Sequence, residues 1–223
     1  MHRSGTQHAL LVGVMLAFCA LAAVACAPPE VAKPRPLPEY TRKLDPGTYR
    51  TEEFEPAFSF EVGEGWTHLP PEKPYDLALA RGQTEELRFF KVREVYKPNE
   101  LYGVIEAPDD LVGWLRRHPY LRTSAPQTVT VDGIEGQRID VAVVEDPPKD
   151  DRVGTCGWDC VDLFGLGDGT ALGVAKGDEA RGIVLEDMRG DTLVIGFLAP
   201  ADEFDGYAPE AQKVIDTVKW RGK

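Results

Sequence analysis

The order of apolar and polar positions divides the chain into three unequal stretches. Residues 9–25 are almost unbroken in their apolar character, with Arg3 the one charge before them. Residues 27–46 hold six prolines among charged and polar side chains, with little that folding would bury. From Gly47 onward, short apolar patterns alternate with clusters of Gly, Pro and Asp. Residues 48–51 and 58–62 carry apolar or β-branched side chains at every second position, which predicts strands. Gly63 and Gly65 close the second, and Trp66 opens a Pro-rich loop through Pro74. Residues 76–80 and 87–95 predict a hairpin around 81–86. A helix is expected after Pro108-Asp109, because Leu111, Val112, Trp114 and Leu115 share a face, Arg116-Arg117 suit its last turn and Pro119 forbids continuation. Residues 128–131 and 137–143 flank an Asp132-Gly133 turn, the signature of an antiparallel hairpin with one wet face.

The last third continues the pattern. Residues 145–151, charged and Pro-containing, predict a surface loop that runs into Cys156–Cys160 and a short strand at 161–164. Two strands follow at 181–188 and 192–198. The second is apolar almost throughout, as a central strand covered on both faces must be. Pro209 suits the first turn of a closing helix with Ala211, Val214, Ile215 and Val218 on one face. Residues 218–220 predict a last edge strand. No repeat of 20–50 residues is present. Strand-rich halves around two helices predict an α+β fold, an antiparallel β-sheet with helices packed on it.

The apolar run at 9–25 has the layout of a secretory signal, with a basic start, an apolar middle and small residues before a cleavage point. Its end, Leu21-Ala-Ala-Val-Ala25-Cys26, resembles a bacterial lipobox, with Cys26 acylated (palmitate among the chains) as the first mature residue. The domains expected are therefore a lipoprotein signal peptide at 1–25, a Pro-rich tether at 26–46 and a globular domain at 47–223. Polyproline-like spacers extend about 3.1 Å per residue, so the tether reaches up to about 60 Å from a bilayer.

Charge narrows the partners. The chain carries 25 basic and 37 acidic residues, and loss of the signal removes only Arg3, leaving the mature chain at −13. An acidic surface repels phosphate backbones, so nucleic acid is not an expected partner. Cys156 and Cys160 are the mature pair after Cys19 and Cys26 are set aside, and an exported pair is expected as a disulfide. Their C-x-x-x-C spacing, with no second pair and only His68 and His118 in the mature chain, argues against a metal.

Three motifs together resemble the PsbP-like domain of secreted bacterial lipoproteins. They are Phe-x-Phe-x-Val-x-x-Gly-Trp (58–66), Val-Asp-Gly-Ile-x-Gly (131–136) and the stretch from Gly-Asp-Thr-Leu-Val through Ala-Pro-x-x-x-Phe to Val-x-Trp (190–220). The resemblance covers 47–223 and implies an α/β/α sandwich around an antiparallel sheet, with adaptor or assembly roles. It brings no shared active site.

Catalytic motifs are missing from the sequence. It has no G-x-S-x-G elbow, P-loop, H-E-x-x-H or EF-hand loop. Gly165-Leu-Gly167-Asp-Gly169 resembles a phosphate loop but lacks its Lys and a following helix, so a turn is expected. Ser59 and Ser124 are the mature serines, and neither has an evident base. Asp109/Asp110 and Asp202/Glu203/Asp205 fall at helix starts, where capping explains them. Trp66, Trp114 and Trp220 are expected in the core. Trp158, inside the Cys156–Cys160 loop, is the candidate recognition residue. The expectation is a non-enzymatic lipoprotein without cofactor or metal, on the extracytoplasmic face of the cell membrane and held there by lipid on Cys26. It would act as a protein-binding or assembly module with an envelope partner. The alternative is a small-molecule or lipid-binding lipoprotein with a pocket between sheet and helix.

Overall fold

A computed structural model describes residues 33–98, 103–144 and 160–221. Two short strands, β1 (Arg35–Pro36) and β2 (Arg42–Lys43), precede β3 (Gly47–Arg50), β4 (Phe58–Val62), β5 (Trp66–Lys73), β6 (Asp76–Arg81) and β7 (Glu85–Val92). Then come β8 (Glu94–Tyr96), β9 (Val104–Glu106), helix α1 (Leu111–Arg117), β10 (Leu121–Thr123), β11 (Gln127–Val131) and β12 (Ile134–Val143). The last part holds β13 (Cys160–Gly165), β14 (Ala171–Ala175), β15 (Asp178–Met188), β16 (Asp191–Pro200), helix α2 (Phe204–Asp216) and β17 (Lys219–Trp220).

A nine-stranded antiparallel sheet dominates, in the order β10-β12-β15-β16-β7-β6-β5-β2, with β11 folded onto β12. Alternation along β16 explains what lies on each side of it. Leu193, Ile195, Phe197 and Ala199 join one core with Phe58, Phe60, Trp66, Tyr207, Val214 and Trp220. Val194 and Leu198 face the opposite way, toward Leu111, Leu115, Leu163, Phe164 and Val174. β16 is thus the central strand covered on both faces that its apolar run predicts.

The covering layers are mixed, which corrects the expected α/β/α sandwich. Helix α2 shares the first face with the small sheet β1-β3-β4-β17, and α1 shares the second with β14-β13-β8-β9. A seven-residue helix covers too little of nine strands, so extended chain covers the rest. The result is a mostly β protein with two helices.

Local chemistry accounts for most element boundaries. The Asp110 side chain accepts a hydrogen bond from the Gly113 N–H at 2.6 Å and caps α1, whose Leu111, Val112 and Leu115 are buried. Asp132 and Gly133 both adopt positive φ (47° and 83°), as the tight β11–β12 turn demands. Around Phe58, Phe89 and Trp220 lie with ring centroids 4.7 and 5.0 Å away, contacts each worth about 0.5–1.5 kcal/mol beyond area burial.

Three expectations are corrected. The tether, expected to end at 46, contributes β1 and β2 to the sheets, because Leu37 and Leu44 are buried and Arg35 hydrogen-bonds the Asp45 and Pro46 carbonyls. The Pro-rich segment from Trp66 is the strand β5, since Trp66 and His68 point into the core and the ladder to β6 is broken only between Leu69 and Lys73, around Pro70 and Pro71. Helix α2 begins at Phe204 and not at Pro209, because Phe204 and Tyr207 extend its buried stripe through Ala208, Ala211, Val214 and Ile215. Pro209 therefore lies inside the helix.

Candidate functional site

Register across four central strands builds the floor of a cavity. On the face toward α1, one row reads Glu86, Leu198, Ala180 and Val141. The next reads Arg88, Gly196, Gly182 and Ile139, and the third begins with Phe90, Val194 and Val184. Strand interiors disfavour glycine, which often marks a place kept clear for something else. Gly182 and Gly196 lie side by side in the middle row, leaving the pleated floor without side chains where its neighbours have them. A Cβ on Gly182 would meet nothing nearer than Val194 Cγ1 at 3.8 Å, whereas one on Gly196 would press on Phe90 Cε1 at 3.3 Å.

Above this floor the β13–β14 arm supplies Leu163, Phe164, Leu172 and Val174, and α1 supplies Leu115. The space, open on one side, is about 260 Å³ and mainly apolar. Ligand pockets share this plan of apolar walls with a few placed polar groups.

The polar groups stand together. Arg88 donates from Nε to Asp76 Oδ1 at 2.7 Å, from Nη2 to Asp76 Oδ2 at 2.9 Å and from Nη1 to Glu86 at 3.1 Å. Burial opposes the guanidinium charge, but the hydrogen bonds Arg88 donates to Asp76 and the charges of Glu86 and Asp76 outweigh it and hold the Arg88 pKa above its ordinary value. Asp76 is nearly enclosed, with 6% of its side chain exposed, and Glu86 is more open at 31%.

A second polar contact holds the arm in place. The turn between β13 and β14 carries Asp168, whose Oδ2 accepts from Lys73 Nζ at 2.6 Å and from the Tyr75 hydroxyl at 3.0 Å. Those bonds, with the Thr170 N–H on Oδ1, hold the Asp168 carboxyl well below the usual carboxylate range. Gly165-Leu-Gly167-Asp-Gly169 is therefore a turn, as expected, and its acid is occupied by a neighbouring hairpin.

His68 and His118 are both buried, on separate segments. The His68 Nδ1–H donates to the Pro38 carbonyl at 2.9 Å, and burial lowers its pKa. His118 ends α1 between the rings of Trp114 and Tyr120, and burial lowers its pKa to about 4. Neither pairs with Ser59 or Ser124. No group of three or more His, Cys, Asp or Glu placed to hold a metal ion occurs among the described residues. No helix among them is long and apolar enough to cross a membrane.

Of the residues singled out in the sequence, Cys160 opens β13 and is buried. Cys26, Cys156 and Trp158 lie outside the described residues. Trp66 and Trp220 are core residues, and Trp114 packs partly buried against Phe164. Of the Asp109/Asp110 pair expected at the helix start, Asp110 is the cap, one residue after Pro108-Asp109, while Glu203 occupies the cap position of α2 without a side-chain bond. Large apolar side chains exposed among the described residues are Tyr40, Val104 and Ile105. The last two are neighbours on β9, an edge strand, and point to its opposite faces.

No family model and no curated protein matches the chain. Among solved structures it is similar to cyanobacterial PsbP from Synechocystis, at 11% identity and a TM-score of 0.42, over 79% of this chain and 94% of that one. It is also similar to LpqN, described as involved in cell envelope biogenesis of Mycobacterium tuberculosis, at 13% identity and a TM-score of 0.36, over 80% of this chain and 89% of that one. No residue role is carried over from either.

With the Arg88 guanidinium already matched by carboxylates and both histidines enclosed, the arrangement is suited to holding a molecule. Glu86, Leu198, Gly196 and Gly182 escaped the sequence reading because only the register unites them.

Proposed function

We propose that this protein is a lipid-anchored, non-enzymatic module outside the cytoplasm that holds a small apolar molecule between its central sheet and the β13–β14 arm. The observation that carries the reading is the cavity of about 260 Å³ floored by Gly182 and Gly196. Burying apolar surface releases roughly 25 cal/mol per Å², so a ligand enclosed on this scale is held without any covalent or metal bond. Protein docking, placed first on sequence grounds, asks for a contiguous exposed apolar face. Among the described residues, the exposed large apolar side chains form no such face, and the ligand reading is placed ahead on the cavity.

The address rests on the apolar stretch that ends before Cys26. More than one acyl chain there gives stable membrane residence, and Cys26→Ser should shift the protein from the detergent phase to the aqueous phase. A carrier of an apolar molecule also needs a recipient, and Trp158 is the contact proposed for an envelope partner.

Titration with N-phenylnaphthylamine, an uncharged fluorophore that brightens in apolar surroundings, tests the cavity. Saturable one-to-one enhancement is expected for the wild type and its loss for Gly182→Phe, whose ring would occupy the floor. Equal enhancement by the two proteins would place binding elsewhere and defeat the reading.

A further inference from the structure

We infer that the cavity selects a single-chain amphiphile with an uncharged, hydrogen-bonding head and rejects carboxylate-headed and ammonium-headed analogues. This inference rests on the cavity being a ligand site. Its basis is the composition of the polar end, where Glu86 and Arg88 line the cavity and Asp76, not itself a lining residue, pairs with the same guanidinium. The cluster carries a net charge of −1.

Arg88 has five N–H donors, and among the described residues one on each nitrogen is engaged, two with Asp76 and one with Glu86. Nη1 and Nη2 each keep one N–H for an acceptor. Glu86 accepts from Arg88 through Oε1, so Oε2 is left to accept from a donor. A hydroxyl meets both needs at once, accepting from Arg88 and donating to Glu86.

Ions fare worse for separate reasons. A carboxylate would compete with Asp76 for a guanidinium that Asp76 already holds in two bonds, and it would stand beside Glu86. An ammonium would find Glu86 but lie against the Arg88 charge. Either ion also loses water on entering a partly enclosed site, a cost a hydroxyl largely avoids. The apolar part is set by volume, since about 260 Å³ corresponds to roughly nine water-sized units of about 30 Å³. A methylene is of similar size, so a chain of about eight to ten carbons fits.

Displacement of N-phenylnaphthylamine from the full-length protein by decanol, decanoate and decylamine at about pH 7.5 separates the possibilities. Decanol is expected to displace at concentrations about tenfold lower than either ion, the equivalent of about 1.4 kcal/mol. Glu86→Gln removes the net charge with little change of shape and should bring decanoate closer to decanol. If the three compounds displace equally, or if either ion leads, the cavity binds ligand but head selection is wrong. If none displaces and the fluorophore itself does not saturate, the ligand reading fails and this inference falls with it.

Discussion

Replacing Gly182 by valine should stabilise the protein and narrow its cavity in one step. Gly182 lies in a strand interior with no positive φ, so a β-branched residue suits its backbone, and removing glycine's freedom in the unfolded chain is worth about 0.4–1 kcal/mol. Its Cβ would meet only Val194 Cγ1, at an ordinary 3.8 Å, and its methyls would project into space that is apolar. Burying each carbon adds up to about 0.8 kcal/mol, less whatever the roof must adjust, for a net gain of about 1–2 kcal/mol. For a domain of this size that raises Tm by about 2–8 °C. Thermal melting measured beside N-phenylnaphthylamine binding reads both effects, with Tm rising and binding weakened. Gly136→Ala is the opposing control, because its Cβ would come within 2.6 Å of the Val184 carbonyl oxygen and force backbone apart. A Gly182→Val protein that melts lower, or binds undiminished, would refute the account of the floor.

Three further outcomes follow from single contacts. Tyr207→Phe should stabilise by about 1 kcal/mol, because the Tyr207 hydroxyl is buried without a hydrogen-bond partner among the described residues; chemical denaturation reads the change. Asp110→Ala removes the cap of α1 and should cost about 1 kcal/mol, lowering Tm by about 2–4 °C. His118 titrates near 4 when folded against about 6.5 unfolded. Its neutral form therefore favours the folded state fully above pH 6.5, and that stability, about 3 kcal/mol, drains away as pH falls from about 6.5 to 4. His68, also lowered by burial, acts in the same direction. Denaturation of His118→Phe across that range should show a shallower acid slope than the wild type, and an unchanged slope would remove His118 from the explanation.

Sequence patterns carried the hairpins because their signals are local. The Asp132-Gly133 turn and the alternation on either side of it fix β11 and β12 without reference to the rest of the chain. Helix α1 was equally legible, since its cap, apolar stripe and terminating proline lie within about a dozen residues. The failures are tertiary overrides. Pro70 and Pro71 argued for a loop, yet burial of Trp66 and His68 keeps that segment in the sheet and places the prolines where the ladder is irregular. Composition alone predicts a tether and gives no sign that Leu37 and Leu44 find places in the core.

The cavity was illegible for a geometric reason that one residue supplies. Gly182 and Gly196 are visible in the sequence as glycines in two consecutive strands around Arg189-Gly190. Regular pairing outward from Met188 opposite Asp191 would set Gly182 against Phe197, with its neighbours offset to match. The ladder instead shifts between Leu185 and Met188, where Asp187 takes a φ of 55°, and the register beyond it moves by one. That extra residue sets Gly182 opposite Gly196. It also aligns them with Arg88 on β7 and Ile139 on β12. A one-residue slip in a strand exchanges its faces relative to its neighbour, so without the bulge the two bare positions would lie on opposite sides of the sheet and no cavity would form between them. The bulge beside the turn thus does for the cavity what no side chain in it does, and its position is recoverable only from the paired strands.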